Sequence, residues 1–340
     1  MTTAVRTALH VTNGDCAREV IERSSFAGPV LSWRDVPHEG PLVPGTRRDF
    51  LNTRARFLAG EGLGDEETIC RELERRDQTL LEALAEGREV VLWFEHDLLD
   101  QLQLIEILAL AGELGRALPR LQLLNVGAVE GRPDFHGLGE LDPAELEPLW
   151  PLRRPVTAAL VGLARAAWAA ARAPDPQAIA ALLGEDTSAL PYLAAALERF
   201  LEELPDVAGG VSRTERQLLE TLLNGPLAPL ELFVRSSRRE QAPYLGDSWF
   251  WQRLVELARG KDPLVAPAAG RSLPESPPRG DTAAFVGTRF ELTDGGRAVL
   301  AGDLDRIEAI GIDRWIGGTQ LRAEHVWRWD PRVRELREPS

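Results

Sequence analysis

The sequence predicts an α/β fold in three parts. A Rossmann-like, mostly parallel sheet domain spans residues 1–140, a helical segment 141–210, and a winged-helix-like C-terminal domain with an aromatic tail 211–340. Three observations carry this. Short apolar runs alternate with segments of helical periodicity as far as residue 126, helical patterns alone follow from about residue 140, and three more helices then precede two short strands. At 340 residues the chain also exceeds what one core usually serves.

Residues 7–11 are apolar, reach Asn13-Gly14 and lead into 16–22, where apolar positions recur at helical spacing: strand, turn, helix. Residues 29–33 give a second strand. Residues 47–59 and 65–85 read as helices, the second rich in Glu, Arg and Leu and stopped by Gly87. Residues 89–94 are a continuous apolar run of the kind buried on both faces of a sheet. A strongly apolar helix over 98–114 and a fourth strand over 120–126 complete the alternation, which right-handed crossovers turn into a parallel sheet.

Asp142-Pro143 and Ser188-Ala189-Leu190-Pro191 mark later helix starts, and 157–173 is alanine-rich with Trp168 on its apolar side. Ser212 and Glu215 form a capping box ahead of a helix over 217–223. Residues 227–234 give the next helix. Gly246-Asp247-Ser248 opens a third, with Phe250, Leu254 and Leu257 in helical register. Residues 263–266 and 289–293 read as wing strands around a loop rich in Pro, Gly and Ser. Aromatic stretches at 313–318 and 326–330 are expected to pack back onto the domain.

Composition narrows the function classes. No apolar run spans a bilayer, and residues 1–8 lack the apolar core of a signal peptide, so the expectation is a cytoplasmic protein without a membrane partner. Cys16 and Cys70 are too few for a disulfide framework or a cysteine-rich zinc site. Net charge is −14, and residues 211–340 carry 19 basic and 19 acidic groups, so the whole excess lies in residues 1–210. Such a chain lacks the basic footprint of a protein that coats nucleic acid. Its single lysine, Lys261, against 38 arginines points to biased genome composition, which weakens any one arginine as a sign of anion recognition.

Polar chemistry gathers where the first three strands end: His10 to Asp15, Trp33 to Gly40, and Trp93 to Asp97. Open α/β sheets keep ligands at strand C-terminal ends. Asn13-Gly14-Asp15, with His10, Thr12 and Asp35 beside it, is the candidate ligand-binding group: a turn whose N–H groups can cradle an anion while Asp15 holds a metal or a ribose hydroxyl. The competing reading makes Asp15 an N-cap and Gly14 a tight-turn residue. No glycine-rich dinucleotide fingerprint is present. His38, Glu39, Glu95, His96 and Asp97 are the candidate catalytic group, with Asp100 one turn further on. Three of the five histidines fall at these strand ends. If His38, His96 and Asp15 converge with one of Glu39, Glu95 or Asp97, the set suits a divalent metal such as Zn, Mn or Fe, or an acid/base pair acting on a phosphate or amide. Otherwise they form a polar network in which His96 caps the next helix and Glu95 bonds to loop backbone. Cys16 at a helix start invites comparison with thiol nucleophiles, but no Asp-x-x-His pair follows to serve as its base. Trp33 and Trp93 read as filling between sheet and helices. Asn125 and His136 rank below all of these.

In the C-terminal part, a DNA reader would use Ser248, Trp249, Trp251, Gln252 and Arg253, with Arg235, Arg238 and Arg239 upstream. Two tryptophans and zero net charge favour packing within the chain or in a homo-oligomer over DNA. The leading function is therefore binding of a small anionic or nucleotide-like ligand at the ends of strands 1–3, with metal-assisted or acid/base hydrolysis. The alternative is a ligand-sensing regulator whose C-terminal domain binds DNA or a protein.

Three blocks, His10-Val-Thr-Asn-Gly-Asp15, Trp33-Arg-Asp-Val-Pro-His-Glu-Gly-Pro41 and Leu92-Trp-Phe-Glu-His-Asp97 followed by Asp100-Gln101, resemble in order the signature blocks of the bacterial DUF1835 family. That resemblance covers residues 7–127, about a third of the chain, and implies no assigned activity. Cys16 departs from it, since the family often has serine there.

Overall fold

The computed structural model describes residues 8–26, 28–115, 118–275 and 281–339. Residue 7 of the first expected strand and residues 276–280 of the wing loop lie outside them. β1 (Leu9–Thr12), α1 (Asp15–Glu22), β2 (Val30–Ser32), α2 (Arg47–Gly60), α3 (Glu66–Ala85), β3 (Val90–Glu95), α4 (Leu98–Gly112) and β4 (Leu121–Val126) follow one another. The strands pair in the order β2-β1-β3-β4, all parallel, and β5 (Arg154–Pro155) adds antiparallel to β4. From β1 the chain goes to β2 on one side and later to β3 on the other. The order therefore reverses between β1 and β3, the place where doubly wound sheets leave a crevice at their strand ends.

The apolar runs explain the layers. Every residue of β3 is buried, as its continuous Val-Val-Leu-Trp-Phe pattern requires of a central strand. One face of the sheet packs on α2, α3 and α4, and the other on α1 and the turn at Leu138–Glu140. α4 is apolar nearly all round because it is enclosed: α6 (Ala158–Ala171) and α8 (Leu193–Leu201) cover its outer side, with α5 (Pro143–Leu146) and α7 (Gln177–Leu183) completing the helical segment. Leu160, Trp168, Leu193 and Phe200 join the α4 cluster, so among the described residues this segment shares its core with the sheet.

A second core unites α9 (Arg213–Thr221), α10 (Pro229–Ser237), α11 (Asp247–Leu257), α12 (Thr282–Val286), α13 (Asp294–Ala301) and α14 (Arg306–Ile310) with the antiparallel pair β6 (Val265–Pro267) and β7 (Phe290–Leu292). The capping box at Ser212 and Glu215 forms as expected, though its helix starts at Arg213. The aromatic tail folds into two hairpins, β8 (Asp313–Ile316) with β9 (Thr319–Arg322) and β10 (Arg328–Asp330) with β11 (Glu335–Arg337). Its Ile316, Leu321, Trp327 and Trp329 pack into the sheet-and-helix core. Gly317 permits that approach: its φ is +60°, and a Cβ there would lie 2.2 Å from the Ala171 carbonyl oxygen. Among the described residues no helix is long and apolar enough to cross a membrane.

Candidate functional site

The end of β3 and the start of α4 bring three carboxylates together. Oxygens of Glu95, Asp97 and Asp100 lie within 4.8 Å of one another, all three residues being buried. Local chain geometry places them. Asp97 is the N-cap of α4 and accepts the Asp100 N–H at 3.1 Å, while Asp100 reaches back to accept the Glu95 N–H at 2.6 Å. Glu95 turns outward to accept the Leu138 N–H at 2.6 Å, and Asn13 at the tip of β1 donates to Asp100 Oδ2 at 2.5 Å. Burial and mutual repulsion push the Glu95 and Asp97 carboxyls well above the usual carboxylate range, and burial pushes Asp100 up to about 7. An all-carboxylate set fits a hard divalent cation such as Mg²⁺ or Mn²⁺ better than zinc.

Beside this cluster, and joined to it by Asn13, lies a cavity of about 670 Å³ along the free edge of β2. Leu58, Leu63, Ile69 and Leu73 of α2, α3 and their connection make its apolar wall. Arg18, Arg34, Arg75 and Arg76 line it against only two carboxylates, Asp35 and Glu72. Three of the four are paired with carboxylates beyond the lining, Arg18 with Glu22, Arg34 with Asp15 and Arg76 with Asp77 and Glu106, so the wall is rich in arginine though its charge is largely balanced. Two of its lining residues, Arg76 and Gln103, each keep one buried polar atom, Nη1 and Oε1, without a hydrogen-bond partner.

The cavity's polar side chains are held from behind. Arg76 sits 3.8 Å above the Trp33 ring and bonds Asp77 at 3.0 Å and Glu106 at 3.3 Å. Arg47 bonds the same two acids, and the Trp33 indole donates to Glu106 at 3.2 Å. Gln103 donates to the Asp35 carbonyl at 2.7 Å. Arg54, fully buried, donates to the Asp35 carboxylate and to the carbonyls of Val36 and Glu39. Burial alone would raise the Asp35 pKa, but the charge and hydrogen bonds of Arg54 outweigh it and hold the carboxyl below its ordinary value.

His38, His96 and Asp15 stand in three different settings: His38 against Tyr244, His96 between Phe135 and Tyr192, and Asp15 paired with Arg34. The chain leaves the sheet after β2, and His38-Glu39-Gly40 is buried beneath α11. His38 meets the Tyr244 ring edge-on, has neither ring nitrogen bonded, and is pushed down to about 3 by burial. Glu39 pairs with Arg253, and Gly40 (φ +71°) packs so closely that a Cβ would lie 2.5 Å from the Phe57 ring. His96, half-buried between Phe135 and Tyr192, lines a separate cavity of about 340 Å³ and neither caps α4 nor joins the carboxylates. Burial, then the neighbouring His136, lowers its pKa.

Asp15 is the first helical residue of α1, exposed and paired with Arg34 at 2.9 Å; Gly14 is the N-cap, in extended backbone with open space around it. The N-cap is therefore Gly14 and not Asp15, which corrects the capping reading of that segment. His10 lies on the far face, accepting the Trp93 indole N–H at 2.9 Å among Phe26 and Trp150, and burial lowers it to about 4. Thr12 is buried with its hydroxyl unbonded. Trp33 and Trp93 fill the layers between sheet and helices, as expected. Cys16 is exposed on the first turn of α1. Sequence reasoning missed Arg76, Gln103 and Arg34; the glutamine inside an otherwise apolar helix was the readable signal.

No protein-family model matches the chain, and no curated protein matches it. Among solved structures, the Plasmodium falciparum topoisomerase II DNA-binding, cleavage and re-ligation domain matches with a TM-score of 0.46 and 11% identity, over 87% of this chain and 48% of that one. The chain thus spans about half of that domain's length, and a likeness this loose carries neither fold nor function across.

Proposed function

We propose that this protein binds a small anionic ligand in the cavity beside β2, at the strand ends of its parallel sheet. The carrying observation is that a cavity of ligand size is lined by four arginines, and that two of its lining residues, Arg76 and Gln103, each keep one buried polar atom, Nη1 and Oε1, without a hydrogen-bond partner. The four apolar wall residues favour an anion with an apolar body over a bare ion. The carboxylate cluster adds chemistry next to it: protonated, it is a general acid, and deprotonated, it offers oxygen ligands to a hard cation. Metal-assisted or acid/base hydrolysis of the bound anion is the reaction class that fits. On this reading the DUF1835 resemblance marks the same strand-end blocks.

The three helices α9–α11 with β6 and β7 complete the proposal as a winged-helix-like unit. Its role is read as internal support. Arg253 is buried against Glu39, Trp251 packs on Phe285, and Trp249 stacks on Phe57 at 5.7 Å, so α11 presents little to a DNA groove.

A thermal-shift panel of inorganic phosphate, AMP, citrate and a glutamate-rich peptide, each with EDTA or Mn²⁺, tests the reading. At least one should raise Tm by about 5 °C when present at a hundredfold over its Kd. Arg34→Ala and Asn13→Ala should reduce that shift. No shift, or one untouched by both variants, overturns the proposal.

A further inference from the structure

The cavity has one wall that a compact anion would not use. Among the described residues β2 pairs only with β1, and it is the edge of the sheet. The hydrogen bonds from His10 N–H to the Pro29 carbonyl and from Trp33 N–H to the Thr12 carbonyl fix which way each residue faces. By the alternation of a parallel ladder, Leu31 serves β1, while the N–H groups of Val30 and Ser32 and the Val30 carbonyl face the open edge. Val30, Leu31 and Ser32 all line the cavity. An unpaired edge is a template for another strand.

We propose that the occupant of this cavity is an extended acidic peptide that adds to β2 as a strand. This rests on the anion-binding reading above and narrows it to a substrate or partner class. A strand laid beside β2 points alternate side chains to opposite faces of the sheet. One set meets the apolar wall of α2 and α3, where Ile69 and Leu73 stand. The other set meets the α1 side, where Arg18 stands, with Arg34 at the end of the strand. The fitting sequence therefore alternates apolar and acidic residues. Arg76, whose Nη1 has no partner, suits a terminal or side-chain carboxylate, whereas Gln103 Oε1, an acceptor, suits a peptide N–H. A second copy of this chain pairing through its own β2 edge is the competing occupant, and the oligomeric state decides it.

Calorimetric titration of the full chain with a capped Val-Glu-Val-Glu-Val-Glu peptide tests this, alongside the same peptide N-methylated at alternate residues, and citrate. The account expects the parent peptide to bind, N-methylation to weaken it by about tenfold or more through loss of two or three backbone hydrogen bonds, and exposed-site Arg34→Glu to weaken it similarly. Equal binding of the two peptides, or binding of citrate alone, overturns the strand proposal and leaves the anion site standing. Binding of none of them overturns the strand proposal, and the anion site then stands or falls with the phosphate and AMP arms of the thermal-shift panel. Sedimentation of the free protein closes the remaining case: a dimer abolished by Ser32→Pro would give the edge to a second copy and overturn the peptide assignment.

Discussion

Arg54→Met is expected to destabilise the protein by about 3–5 kcal/mol, measured as the loss of unfolding free energy in urea. The side chain is fully buried. Its guanidinium gathers both oxygens of Asp35 and three carbonyls, those of Val36, Glu39 and Pro41, around one cation. Methionine fills much of the volume but leaves a buried carboxylate unpaired and the carbonyls unsatisfied, and it is this remainder that costs. The double variant Arg54→Met/Asp35→Leu should recover part of the loss, since removing both charges removes the orphan. A double variant no more stable than the single would show that the pair contributes through shape alone.

The second large effect is a pH dependence centred on Asp100. Its folded pKa of about 7 stands above the 3.8 of the unfolded chain. The folded protein thus keeps a proton that the unfolded chain releases, so this contribution is complete below about pH 4 and is lost as pH rises through 7. That difference corresponds to at most about 4 kcal/mol. Asp100→Asn keeps an acceptor for the Glu95 N–H and removes the titration. It should therefore be more stable than the parent at pH 8 by a few kcal/mol, with the difference shrinking toward zero near pH 4, and it should blunt any stabilisation by Mn²⁺. His10 and His38 work in the opposite sense: with folded values near 4 and 3 against 6.5, they contribute above pH 6.5 and lose that contribution as pH falls. Comparing variant with parent cancels those terms. A difference that does not change with pH would contradict the carboxylate account.

The strands and helices of the first 126 residues were legible because each is a local pattern: Val-Val-Leu-Trp-Phe in β3, the apolar run of α4, the helical spacing of α1. β5 and the tail hairpins were not, being two to four residues long and rich in arginine. The site was legible only in part. Glu95 and Asp97 were visible as strand-end acids, and Asn13 and Asp35 do sit at the cavity. The histidines misled because clustering in sequence says nothing of where a loop goes after its strand, and His38 is carried under α11. Arg54 and Arg76 were hidden for a related reason. Helical periodicity assigns arginine to solvent, and only the tertiary partners Asp35, Asp77 and Glu106 reveal that both point inward.

The most direct test is a crystal structure of the protein with its best-stabilising anion. The account predicts density in the β2 cavity, with an anionic oxygen within hydrogen-bond distance of Arg76 Nη1 and a donor group facing Gln103 Oε1. Density in the cavity beside His96, with the β2 cavity holding only water, would contradict it.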